Sequence, residues 1–189
     1  MIHFVLGGAR SGKSRFAEQQ VTALSQSQQK SAVYIATATA IDAEMDTRII
    51  KHQSDRGDNW QLIECPLSLA DTLSNLKNNN IYLVDCLTLW LNNHLYAVHK
   101  ENRTAQGKYL QTEIDKLIKR LVLLNADIVI VSNEVGLGVI PMGESTRLYV
   151  DYCGWLNQKV AGIADKVTLV TAGIPMTIKA DNKSTDCFL

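Results

Sequence analysis

The chain has 189 residues, 46% hydrophobic and 20% charged, a composition that excludes disordered and fibrous classes and suits about one ordinary domain. Nineteen basic residues balance nineteen acidic ones, so the basic excess expected of a nucleic-acid binder is missing. No apolar run approaches the roughly 20 residues of a membrane span, and no basic stretch precedes the apolar start, so a cytoplasmic protein is expected.

Ile2–Leu6 opens the chain as an apolar strand, and Gly7-Gly8-Ala9-Arg10-Ser11-Gly12-Lys13-Ser14 follows it. This run matches G-x-x-x-x-G-K-[ST], and a helical pattern over Ser14–Leu24 comes next. Strand, glycine-rich turn and helix together make a phosphate cradle. The turn aims successive backbone N–H groups at phosphate oxygens, and the helix adds its positive end. Lys13 reaches the β- and γ-phosphates, and the Ser14 hydroxyl ligates Mg2+.

Ala32–Ala36 is a second strand. In the segment after it, Ile41, Met45, Ile49 and His52 lie on one helical stripe, so His52 faces the protein body near a helix end. Pattern alone leaves His52 open between a satisfied core histidine and a functional one. Trp60–Cys65 is a weaker strand. Ile81–Val84 is a strong one and ends on Asp85, the usual place for a carboxylate that works with a phosphate loop. Asp85 also suits the N-cap of the following helix, Leu87–Val98.

Leu110, Ile114, Leu117, Leu121 and Leu124 mark one face of an amphipathic helix. Strand Ile128–Ser132 leads into Asn133-Glu134-Val135-Gly136-Leu137-Gly138. Residues just past the carboxyl end of a parallel strand sit at the ligand crevice, so Asn133 and Glu134 are candidates there; a plain polar turn is the other reading. Helix Ser145–Ala164 and strand Val167–Thr171 follow. Ala172-Gly173-Ile174-Pro175 turns the chain back into an antiparallel edge strand, Met176–Lys179. Cys65, Cys86, Cys153 and Cys187 are widely spaced, as free thiols in a reducing compartment would be.

Strands apolar on both faces alternate with helices, which predicts an α/β fold: a doubly wound, mostly parallel sheet of the P-loop nucleotide hydrolase type. Residues 1–180 read as a single nucleotide-binding domain and 181–189 as a polar tail.

In this order the motifs resemble one family, the bifunctional adenosylcobinamide kinase / adenosylcobinamide-phosphate guanylyltransferases of cobalamin biosynthesis. The resemblance rests on residues 7–14, Tyr34–Ala38, Asp42–Met45, Arg48–His52, Asp85–Thr88, Asn133–Gly138 and Gly173-Ile174. It implies phosphorylation of adenosylcobinamide by a nucleoside triphosphate, ATP or GTP. It then implies transfer of GMP from GTP to the resulting phosphate through a guanylylated histidine, which is His52 here. It further implies nucleotide contacts at residues 7–14, Thr37, Ala38, Thr39, Gln53, Ser54, Asp55, Arg56, Glu64 and Asp85, with Mg2+ on Ser14 and Asp85. Lys13 and His52 are the catalytic candidates, and a homotrimer is implied. Two rivals remain at this point. One is a single-step P-loop kinase of another small metabolite. The other is a GTP-binding switch, for which Asn182-Lys183-Ser184-Thr185-Asp186 is one residue too long to be the guanine-reading loop.

Overall fold

A computed structural model of the chain describes residues 1–39 and 60–180. Seven strands are present among the described residues: β1 Ile2–Gly7, β2 Ser31–Ala36, β3 Trp60–Glu64, β4 Asn80–Asp85, β5 Asp127–Asn133, β6 Lys166–Thr171 and β7 Ile174–Lys179. The helices are α1 Lys13–Gln28, α2 Leu69–Ser74, α3 Leu87–Ala97, α4 Arg103–Val122 and α5 Glu144–Ile163. All seven strands join one sheet in the order β3-β2-β4-β5-β1-β6-β7. Every pairing is parallel except β6 with β7. The α/β, mostly parallel sheet with an antiparallel edge is as the sequence predicted.

Alternation along each strand sends neighbouring side chains to opposite faces. Phe4, Leu6, Tyr82, Val84, Ile128 and Ile130 enter one core with residues of α2, α3, α4 and α5. Val5, Ile81, Leu83, Val129 and Val131 enter the other, under Ala17 and Val21 of α1. Helices therefore cover both faces, which explains why the central strands are apolar throughout. Leu110, Ile114, Leu117 and Leu121 of α4 are all buried, as their stripe predicts, and each contributes about 1.5–3 kcal/mol by leaving water. The Asn102 side chain caps this helix by accepting from the Ala105 N–H at 3.0 Å.

Three differences from expectation have simple causes. α2 was not anticipated: it has only six residues, and just Leu69 and Leu73 point inward, too few to form a stripe. β7 begins at Ile174 rather than Met176, with Pro175 inside it; an edge strand tolerates a missing N–H. α3 starts one residue past Cys86, and no side chain caps it, so the N-cap reading of Asp85 falls.

The β6–β7 connection is a two-residue hairpin turn. Ala172 and Gly173 have φ of 51° and 79°, and Thr171 pairs with Ile174. Positive φ at both positions is the type I′ geometry that matches strand twist. No helix among the described residues is long and apolar enough to cross a membrane.

Candidate functional site

β1 is flanked by β5 and β6, both parallel to it, and the glycine-rich turn leaves its carboxyl end at the centre of the sheet. Gly7 must be small. A Cβ there would sit 2.4 Å from Ser11 Oγ and 2.5 Å from the Val170 carbonyl oxygen. Gly12 takes φ of 93° and Arg10 takes 56°, so the backbone curls back on itself. The Ser11 N–H donates to the Gly8 carbonyl at 3.3 Å, and the Gly173 N–H donates to the Ser11 carbonyl at 2.8 Å. The hairpin turn thus anchors the loop from outside the motif. The Ser11 hydroxyl is buried with no hydrogen-bond partner among the described residues.

Lys13 begins α1 with its side chain 8% exposed. Its ammonium donates to the Gly8 carbonyl at 3.1 Å, which folds the lysine over the loop. Burial pulls its pKa below the usual lysine value, opposed by the nearby Cys86 and Asp85. The charge therefore sits in a site that an anionic ligand would complete. Ser14, half-buried, occupies the next position in the first turn of α1.

β4 delivers Asp85 two strand positions from β1, beyond β5. The Tyr34 hydroxyl donates to Asp85 Oδ2 at 3.0 Å, so one carboxylate oxygen is oriented by β2. The peptide bond from Asp85 to Cys86 is cis. Thr37 braces this junction: its hydroxyl donates to the Cys86 carbonyl at 2.8 Å and accepts from the Cys86 N–H at 2.8 Å. The Thr37 N–H donates to the Asp85 carbonyl, and its own carbonyl accepts from Asn93 Nδ2 at 2.8 Å. Thr37 is fully buried, and its polar groups are taken. Thr37 thus braces the Asp85–Cys86 junction through its own hydrogen bonds.

At the β5 exit, Asn133 Nδ2 donates to Thr88 Oγ1 at 2.7 Å, and the Asn133 carbonyl accepts from Asn157. The Glu134 N–H donates to the Gly7 carbonyl at 3.1 Å, and the Glu134 side chain accepts from the Gly136 N–H at 2.8 Å. Glu134 thus ties the β5 exit to Gly7 of the phosphate loop, while Asn133 ties it to α3 and α5.

Residues 7–14, Asp85, Asn133 and Glu134 thus gather at the carboxyl ends of β1, β4 and β5. Ala38 and Thr39 follow β2 on the same side, half-buried and exposed respectively. Glu64 ends edge strand β3, four strand positions from β1, roughly 19 Å at ordinary spacing. His52, Gln53, Ser54, Asp55 and Arg56 lie outside the described residues, as do the stripe Ile41–His52, Cys187 and the tail 181–189. Sequence reading missed Tyr34, Thr88, Asn93 and Gly173 as supports. Asn93 carried a signal, since an amide inside an apolar helix needs a fixed partner.

Comparison with known proteins fits this geometry. The family profile described as cobinamide kinase / cobinamide phosphate guanyltransferase matches residues 3–178. Bifunctional adenosylcobalamin biosynthesis protein CobP of Pseudomonas aeruginosa is 44% identical over 182 residues, covering 96% of this chain and 99% of that protein. The corresponding CobU of Salmonella typhimurium is 38% identical over 187 residues, covering 95% of this chain and 100% of that protein. CobU of Escherichia coli is 34% identical over 186 residues, with the same coverage.

Proposed function

The chain belongs to the cobinamide kinase / cobinamide phosphate guanyltransferase family, and from that premise we propose how its own residues perform the two reactions. It is a bifunctional enzyme of adenosylcobalamin biosynthesis, using nucleoside triphosphates first to phosphorylate cobinamide and then to guanylylate the phosphate. The observation that carries the residue assignment is the phosphate loop at the centre of the sheet, with Lys13 buried above it.

In the kinase step, the loop N–H groups and Lys13 hold the β- and γ-phosphates in place. The cobinamide hydroxyl attacks the γ-phosphorus in line, a new O–P bond forms, and the bond to the β-phosphate oxygen breaks. Charge on the departing diphosphate is stabilised by the same donors. Gly12 lets the loop curl, Gly7 leaves room for Ser11 and the Val170 carbonyl, and the Gly173 N–H holds the Ser11 carbonyl in place.

Mg2+ fits this donor set. It is a hard cation that takes one or two protein oxygens and completes its shell from phosphate and water. The Ser14 hydroxyl and the Asp85 carboxylate are such oxygens, and the field of Asp85 already reaches Lys13. When bound, the ion neutralises phosphate charge. Tyr34 fixes one carboxylate oxygen of Asp85 by donating to it at 3.0 Å.

In the transfer step, His52 attacks the α-phosphorus of GTP. A nitrogen–phosphorus bond forms and pyrophosphate leaves with the electrons of the broken P–O bond. A phosphate oxygen of cobinamide phosphate then attacks the same phosphorus, and the histidine leaves neutral. The ring must be neutral to attack, since an imidazolium has no free lone pair. Ala38, Thr39, Gln53, Ser54, Asp55, Arg56 and Glu64 are proposed as contacts to the base and sugar. Residues 1–180 act as one unit and assemble as a homotrimer. The free, buried Cys65, Cys86 and Cys153 support residence in a reducing cytoplasm.

Intact-mass spectrometry after incubation with GTP and Mg2+ tests the covalent step. Wild type gains one GMP, lost in mild acid and kept in mild base, as a phosphoramidate requires. His52→Ala gains none and loses guanylyl transfer, while kinase turnover persists at least in part. An acid-labile adduct on His52→Ala makes another residue the nucleophile, and transfer without any adduct means direct displacement.

A further inference from the structure

Nine consecutive residues between β5 and α5, Val135-Gly136-Leu137-Gly138-Val139-Ile140-Pro141-Met142-Gly143, carry no polar side chain. Surface loops ordinarily turn polar groups to water. Here Leu137, Val139, Ile140 and Met142 are 86%, 95%, 79% and 96% exposed. Only Val135, at the loop's root, packs against the core.

This loop is pinned rather than loose. Glu134 holds the Gly136 N–H at one end. Arg147, reaching back from the first turn of α5, donates to the carbonyls of Pro141 and Met142 at the other. The apolar tips are therefore held outward from a fixed frame. An exposed apolar cluster on a fixed frame marks a binding surface.

Place and chemistry identify the occupant. The loop leaves β5 directly beside the phosphate loop: Asn133 pairs with Gly7, and the Glu134 N–H reaches the Gly7 carbonyl. Neighbouring strands lie about 4.8 Å apart, so its root stands at the mouth of the triphosphate site. A nucleotide is anionic and would call for cations, of which these nine residues have none. The acceptor is different. The corrin ring of cobinamide is broad, its rim carries methyl groups and neutral amides, and a short arm carries the hydroxyl that must reach the γ-phosphate. That arm ties the ring to the neighbourhood of the phosphate loop.

We propose that Leu137, Val139, Ile140 and Met142 form the landing surface for the corrin ring. Their side chains meet its methyl-bearing rim, and the peptide groups of the loop serve its amides. This inference rests on the family activity given above and names the second substrate's subsite. It commits to the corrinoid over a second copy of the chain because the root of the loop, at Asn133 and Glu134, adjoins Gly7 of the phosphate loop.

The test is equilibrium dialysis of cobinamide, without nucleotide, against the full chain and against a Val139→Asn/Met142→Gln double variant, read by corrin absorbance. Steady-state kinetics, sedimentation and melting run beside it. Exchanging two apolar side chains of the proposed landing surface for amides should weaken cobinamide binding by about tenfold or more and raise its KM in proportion, with KM for the nucleotide held within about twofold. Equal cobinamide affinity in variant and wild type overturns the proposal. So does an unchanged affinity accompanied by loss of the native oligomer, which makes the loop a contact between copies. A fall in melting temperature with unchanged affinity also overturns it and makes the loop a packing element of its own chain. Failure of the family activity itself reads differently: wild type would then neither phosphorylate cobinamide nor take up GMP.

Discussion

Replacing Gly7 by alanine adds one carbon at the place where β1 becomes the phosphate loop. Neither Gly7 nor Gly8 has a positive φ, so alanine costs no backbone strain at either position. By restricting the unfolded chain alone, the change would stabilise by about 0.4–1 kcal/mol. The difference lies in the surroundings. At Gly8 the new carbon meets nothing within 4 Å. At Gly7 it lies 2.4 Å from Ser11 Oγ and 2.5 Å from the Val170 carbonyl. The Ser11 hydroxyl can rotate, but the carbonyl belongs to β6, whose residues are fixed by pairing with β1 and β7. Either the loop or the strand must shift. Such overpacking costs about 1–3 kcal/mol, which for a domain of this size lowers Tm by about 2–12 °C. A shift of about 1 Å in phosphate-binding N–H groups costs on the order of a hundredfold in rate. Thermal melts and both activity assays should therefore show Gly7→Ala less stable and slow in kinase and transferase turnover alike. Gly8→Ala should be as stable as wild type or more so, by up to about 1 kcal/mol. A Gly7→Ala protein with wild-type Tm and turnover would refute this account of the loop.

Two further expectations follow from buried groups. Asp85→Asn keeps the hydrogen bond to the Tyr34 hydroxyl through its amide oxygen but removes the charge. The fold should therefore survive while the Mg2+ concentration for half-maximal rate rises about tenfold or more; an unchanged Mg2+ titration would remove Asp85 from the metal role. His3 sits buried in β1 against Thr168, and burial, with a smaller effect from Lys166, lowers its pKa to about 4. The unfolded chain then binds more protons between pH 6.5 and 4, so stability falls as pH drops through that window, by up to about 1.4 kcal/mol per unit. His3→Gln should flatten the urea midpoint against pH, and a profile unchanged from wild type would dismiss His3 as the source.

The central strands were legible because both their faces are buried, which leaves short continuous apolar runs in the sequence. β3 read weakly because it is an edge: Gln61, Leu62 and Glu64 are exposed, and neither alternation nor a run survives. The phosphate loop was legible because its chemistry needs particular residues at fixed spacing. Its outside support was not, since the Gly173–Ser11 bond joins residues 162 apart and leaves no local pattern. The bracing by Thr37 was not legible for a related reason. Its residue type suits a ligand contact, and only the path of the chain around Asp85 and Cys86 uses up its hydroxyl. Asp85 stood out because an acid ending an apolar strand is conspicuous, whereas the Tyr34 hydroxyl that orients it looks like one more core aromatic.

The bond from the Gly173 N–H to the Ser11 carbonyl also has a consequence for the order of synthesis. A ribosome delivers the glycine-rich motif well before its brace, which follows 162 residues after Ser11. A nascent chain that has exposed β1 through β6 owns the signature but not the finished cradle, because residues 172 and 173 have yet to emerge. The loop therefore gains its outside brace only after the β6–β7 hairpin has been made, whatever the state of the glycine-rich motif before it.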